Sequence, residues 1–229
     1  MRDRRKKHLP ERLAACESVL FSPVYDDLNF ETAVKKPEFI DTEAYFGNGN
    51  PLHLEIGCGK GKFICEAAKR NPDINFIAVE KVGNVLVMAC EMAIREQIPN
   101  ILFMRCDAHM LPKYLKAHSI ERIYLNFSCP YPKNRDTNKR LTYPAFLEIY
   151  KQLLTSDGEI HQKTDNMHFF EFSLAQFSQN GFALQNISLD LHKSDFAGNI
   201  VTEYEKRFSD LGQPIYRLEA YLAERRSGD

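Results

Sequence analysis

Three things are scarce in this 229-residue chain: paired cysteines, long apolar runs and an excess of either charge. The six cysteines (Cys16, Cys58, Cys65, Cys90, Cys106 and Cys129) include no Cys-x-x-Cys pair, so no metal site is expected. Most lie in apolar stretches where a reduced thiol packs as a small hydrophobe, which suits a reducing cytoplasm. No run approaches the roughly 20 apolar residues that cross a bilayer, and the charged N-terminus lacks the apolar stretch of a signal peptide. A cytoplasmic protein without a membrane partner is therefore expected. Lys and Arg number 30 against 31 Asp and Glu, so total charge does not announce a nucleic-acid binder. Its distribution says more. Arg2, Arg4, Arg5, Lys6 and Lys7 form a basic arm, and Lys133, Arg135, Lys139 and Arg140 form a second cluster, a pattern that points to a polyanionic substrate.

What is present is a strand that runs into a glycine-rich turn: Leu54-Glu55-Ile56-Gly57-Cys58-Gly59-Lys60-Gly61. Glycines tolerate positive φ and let backbone N–H groups approach a ligand at the mouth of a helix. A helical stretch from Phe63 to Arg70 and a second apolar strand, Phe76 to Val79, then lead to Glu80. A carboxylate at that strand tip can accept hydrogen bonds from both hydroxyls of a ribose. An acid before the first glycine is similar to motif I of Rossmann-like S-adenosylmethionine methyltransferases, more so than to the dinucleotide fingerprint. The predicted cofactor contacts are Glu55, Gly57, Gly59, Gly61, Glu80 and Asp107. The bland alternative is a tight turn with no ligand.

Residues 1–50 show no sustained period and read as a basic arm with peripheral segments, while 51–229 read as one α/β domain. Strands are predicted at 52–56, 75–80, 101–106, 122–127 and 158–163, alternating with helices near 62–70, 83–97, 110–117 and 143–154. That alternation predicts a mostly parallel sheet with ligands beyond the carboxyl ends of its strands. Phe182 to Leu191 and Ile215 to Ala223 are expected to add an antiparallel C-terminal pair.

Three further stretches lie where chemistry is expected. Asp107 follows the third strand, where it faces an adenine amine, caps a helix, or does both. Ser128-Cys129-Pro130-Tyr131-Pro132-Lys133 follows the fourth, a loop stiffened by two prolines in which Tyr131 offers a stacking face and Lys133 a phosphate contact. Lys163-Thr164-Asp165-Asn166 ends the fifth strand. There Asp165 can accept from a guanine edge, or Asp165 or Asn166 can cap the next helix. Thr202 and Glu205 match a Thr-x-x-Glu capping box, a structural role.

Together the glycine turn, Tyr124 to Lys133, Arg140-Leu141-Thr142, Lys163 to Asn166 and Thr202 to Glu205 resemble the bacterial tRNA (guanine-N7)-methyltransferases, the TrmB family. The resemblance runs from about residue 50 to 217. It implies a Rossmann-like fold, S-adenosylmethionine as cofactor and tRNA as partner, with methylation of the guanosine at variable-loop position 46. It also implies tRNA contacts by Lys133, Asp165, Thr202 and Glu205, which raises Thr202 and Glu205 above the capping role. One departure matters: the family pattern reads Ser-Asp-Pro-Trp-Pro-Lys, and this chain has Cys129 and Tyr131 in place of the acid and the tryptophan. Two other readings stay open, a cytosine-C5 RNA methyltransferase with Cys129 as nucleophile and a tRNA-binding protein with little or no catalysis.

Overall fold

Short apolar runs bounded by glycine or asparagine become fully buried strands in the computed structural model, which describes residues 7–23 and 37–223. The basic residues Arg2, Arg4, Arg5 and Lys6 lie outside them. The chain divides into two compact units, Met1–Lys116 and Ala117–Asp229.

The first unit carries, in chain order, α1 (Leu9–Ala14), β1 (Leu20–Phe21), α2 (Thr42–Phe46), β2 (Leu52–Ile56), α3 (Lys62–Arg70), β3 (Asn75–Val79), α4 (Gly83–Arg95), β4 (Ile101–Met104) and α5 (Leu111–Tyr114). Its strands lie side by side as β1-β4-β3-β2, all parallel. Every residue of β2, β3 and β4 is buried; β4 and Phe76–Val79 of β3 read as unbroken apolar runs, while β2 also buries His53 and Glu55. Pairing of Ile56 with Val79 brings the ends of β2 and β3 level, so the glycine turn and Glu80 emerge together.

Residues 7–23, within the segment before residue 50, are tied down more firmly than its lack of periodicity suggests. Leu20 and Phe21 pair with Phe103 and Met104, and Arg12 makes a two-pronged ion pair with Glu91 of α4, both contacts at 2.7 Å. A two-residue strand is too short to carry a period of 2, so the sequence pattern misses it.

Gly61 starts α3 with φ 79°, and its place is set by packing. A Cβ there would meet the Cβ of Ala89 at 2.6 Å and its Cα at 3.0 Å. We expect Gly61→Ala to destabilise the protein by about 1–3 kcal/mol, because the close approach of α3 and α4 would have to open. Urea titration measures this, and a variant as stable as the parent would show that the helices separate at no cost.

The second unit carries β5 (Ile120–Asn126), α6 (Pro144–Leu153), β6 (Leu154–Thr164), α7 (Met167–Gln179), β7 (Phe182–Ser188), α8 (Glu203–Ser209) and β8 (Tyr216–Leu222). Its strand order is β5-β6-β8-β7, with β5 and β6 parallel and β8 antiparallel to both of its neighbours. The antiparallel C-terminal pair is thus β7 and β8, as the sequence predicts. Strand β6 starts four residues earlier than expected, and its pairing with β5 slips between Ile120 and Arg122. Three potential metal ligands, Glu159, His161 and Glu219, converge within 4.8 Å on this sheet. Arg122 and Arg217 donate to the two carboxylates, and burial pushes the His161 imidazole below its ordinary value of 6.5. The cluster is an internally neutralised ion network, and two guanidiniums beside it oppose a cation. Among the described residues no helix is long and apolar enough to cross a membrane.

Candidate active site

In the first unit, the turn after β2 is a cradle with an open mouth. Gly57 and Gly59 take φ 82° and 56°, and a Cβ on either would meet nothing within 4 Å. Space lies in front of them, whereas Gly61 is filled from behind by Ala89. The three glycines are therefore required for two different reasons, a distinction that spacing alone does not carry. Glu80 at the tip of β3 accepts from Gly59 N at 3.3 Å through Oε2 and from Val82 N at 2.8 Å through Oε1. Each carboxylate oxygen has a second lone pair, so both can still accept a hydroxyl. Glu55 is only 2 % exposed within β2.

Of the two roles expected of Asp107, the structure has the cap, on the 3-10 turn Ala108–Met110 through the N–H of His109 at 3.1 Å, and the carboxylate stays partly exposed. Its hydrogen bond with the His109 ring, at 2.8 Å, holds the carboxyl down to about 2. Lys81 approaches its other oxygen at 3.6 Å. Open glycines, a strand-tip carboxylate with free lone pairs and a second, firmly ionised carboxylate fit a cofactor that has a ribose, an exocyclic amine and positive charge.

In the second unit, the chain leaves β5 under backbone strain. Phe127 and Tyr131 have φ 50° and 40°, the left-handed region that aromatic residues rarely adopt. Cys129 between them is exposed, while the other five cysteines are buried. Lys133 is exposed at the loop end. Arg140 is not the surface cation that the charge cluster suggests: its Nε donates to Pro130 O at 2.9 Å and its terminal nitrogen to Tyr131 O at 3.1 Å. Lys139 and Arg135 face Asp136 at 2.6 and 3.9 Å. Of that cluster, Lys133 is the cation for which no such engagement is seen among the described residues.

The end of β6 divides its labour. Asn166 caps α7 by accepting from Phe169 N at 2.8 Å, so the half-buried Asp165 is not spent on the cap. Burial pushes the Asp165 carboxyl above the ordinary 3.8. Burial first, then the charge of Asp165, raises the phenol of the exposed Tyr204, whose ring leans on Phe127 with centroids 5.2 Å apart.

The capping box is only half formed. Thr202 accepts from Glu205 N at 3.0 Å, but the Glu205 side chain does not turn back to the helix start. It is fully buried and accepts from Lys163 Nζ at 2.8 Å and Asn199 Nδ2 at 2.6 Å, with His192 Nε2 at 3.1 Å. Lys163 also donates to Asn199 Oδ1 and Ile200 O, each at 3.0 Å. A buried charge pair needs this many partners to be tolerated. Glu205 therefore pins the 191–209 segment to β6 instead of meeting solvent. Sequence does not single out Asn199 and His192, because their loop has no periodicity and Lys163, which closes the network, lies 36 residues before Asn199.

Residues 49–218 match the model of a family described as "Putative methyltransferase". The tRNA (guanine-N(7)-)-methyltransferase of Brevibacillus brevis is 50% identical over 200 residues, which cover 83% of this chain and 94% of that protein. The protein of the same name from Streptococcus thermophilus is 46% identical over 98% of this chain and all of its own length. Among solved structures, the 16S rRNA methyltransferase KamB superposes with a TM-score of 0.58 at 14% identity, covering 87% of this chain and 95% of that one. An antibiotic-resistance methyltransferase, Kmr, gives 0.55 at 17% identity over 87% and 95%. These two likenesses show the Rossmann-like methyltransferase fold.

Proposed function

The chain belongs to the tRNA (guanine-N7-)-methyltransferase family, and from that premise we propose that it transfers a methyl group from S-adenosylmethionine to N7 of the guanosine at variable-loop position 46 of tRNA. S-adenosylmethionine supplies an electrophilic methyl on a sulfonium. Gly57 and Gly59 leave room for it, Glu80 takes the ribose hydroxyls, and Asp107 takes the adenine amine. Guanine N7 has a lone pair and no proton, so the reaction needs orientation and a suitable field, not a general base.

The observation that carries the reading is the half-buried Asp165 carboxylate at the end of β6, left out of the helix cap that Asn166 serves in its place. An anion there accepts from the N1–H and N2–H edge of guanine and stabilises the positive charge that develops on the purine. Tyr131 and Tyr204 offer stacking faces to the base. Thr202 and Glu205 act by ordering the segment that presents Tyr204. A tRNA substrate places this work in the cytoplasm.

Chemistry tests the position of the methyl group. Unmodified tRNA treated with the protein and cofactor, then with borohydride and aniline, should be cut at 7-methylguanosine in the variable loop. Cleavage elsewhere would refute the assigned site.

We also expect Lys133→Ala to weaken tRNA binding and lower the log–log salt slope by about 0.7–0.9, the signature of one lost phosphate contact, with cofactor affinity unchanged. An unchanged slope in filter-binding titrations would return Lys133 to the solvated surface.

A further inference from the structure

Arg140 lies in a basic cluster, and by charge alone it would be assigned to phosphate. Its geometry assigns it elsewhere. The loop it serves has unusual needs. Pro130 and Pro132 have no N–H to donate, and Phe127 and Tyr131 are held at positive φ, a cost of order 1 kcal/mol or more for each. Such a conformation persists only where the surroundings over-determine it. The main-chain hydrogen bonds seen at the loop are at its two ends, Phe127 N to Lys163 O at 2.8 Å and Asp136 N to Lys133 O at 2.9 Å. Between them, the two donors of Arg140 reach the carbonyls of Pro130 and Tyr131.

The guanidinium is itself fixed. It lies over the ring of Phe172 on α7, 4.4 Å from the centroid. The main chain on either side is anchored too: Tyr150 Oη donates to Leu141 O at 2.9 Å, and Thr142 shares a buried hydrogen bond of 2.9 Å with Ser173 of α7. A planar fork can grip two adjacent carbonyls and stack at the same time, which an ammonium cannot do.

We infer that Arg140 is a positioning residue: it clamps Pro130 and Tyr131 so that the strained Ser128–Lys133 loop is preformed for the substrate base, and it does not bind phosphate. The catalytic part of this inference rests on the function proposed above, while the clamp itself does not. Two measurements keep them apart.

In hydrogen exchange, Arg140→Lys and Arg140→Ala should speed the amides of residues 128–136 by roughly tenfold or more, as the loss of two charge-assisted hydrogen bonds requires, while peptides of β6 and α4 stay unchanged. In methyl transfer to tRNA, both variants should lose kcat by about 10- to 100-fold through misplacement of the loop. Their cofactor affinity and the salt slope of tRNA binding should match the parent, and added ethylguanidine should restore part of the Arg140→Ala rate. A salt slope lowered by about 0.7–0.9 in Arg140→Ala, the variant that removes the charge, with kcat retained would make Arg140 a phosphate contact and overturn the inference. Unchanged exchange in the loop would overturn it as well, and so would loosening throughout the unit, which marks a general structural role. If the parent protein methylates no tRNA, the proposed function fails while the exchange experiment still decides the clamp.

Discussion

Glu80→Ala should weaken S-adenosylmethionine binding by about 1.5–3 kcal/mol, roughly 10- to 150-fold in Kd. Two losses add up in that figure. The ribose loses a charged acceptor, and the cradle loses the bracket that joins the glycine turn to the start of α4 through Gly59 N and Val82 N. Glu80→Gln separates them, since its amide oxygen keeps one backbone contact while the charge is gone, and it should fall between Ala and the parent. Calorimetry with purified protein reads both variants. Equal affinity in all three proteins would mean that the cofactor does not use the tip of β3.

The second large effect is expected at Asp165. Asp165→Asn should reduce kcat by about 100-fold, as removal of a preorganised charge opposite a developing one does in a partly buried site. The same substitution should raise stability at neutral pH. The sign follows from burial, which penalises the ionised form and lifts the folded-state pKa above the ordinary 3.8. The folded protein then holds its proton more tightly than the unfolded chain. The destabilisation is fully present above the raised pKa and disappears as pH falls to 3.8 and below. Catalysis runs the other way, because only the anion serves, so activity should decline on acidification at a higher pH than an ordinary aspartate would give. An Asn variant that is both slower and more stable is the signature of a functional carboxylate. One that is slower and less stable would place Asp165 in the scaffold.

Cys129 sharpens this argument. It is the exposed thiol of the strained loop, at the position where the family pattern has an acid. If Asp165 supplies the field alone, Cys129→Ser should keep most of the activity and Cys129→Asp should raise kcat by adding a second carboxylate. A covalent nucleophile would instead lose all activity in both variants, and a binding protein would have none to lose. The relatives that match most of the chain favour the first outcome.

Much of this was legible in the sequence because the signals were local. Buried parallel strands are rich in apolar residues and tight turns at positive φ favour glycine, so β2, the turn, α3 and β3 could be placed to within a residue or two. What stayed hidden depends on which of several available partners a side chain takes in the folded chain. Thr202 and Glu205 satisfy a local capping rule, yet Lys163, 42 residues away, captures the Glu205 carboxylate. Arg140 counts as one more charge until the two carbonyls ten and nine residues before it are seen to face its fork. The sequence names Asp165 and Asn166 as equal candidates for the cap, and only the geometry shows which one takes it.

Nucleoside analysis of the product tests the central claim most directly. Unmodified tRNA incubated with the purified protein and labelled S-adenosylmethionine, digested to nucleosides and read by mass spectrometry, should contain labelled 7-methylguanosine as its one new nucleoside. Labelled 5-methylcytidine, or no labelled nucleoside at all, would contradict the account.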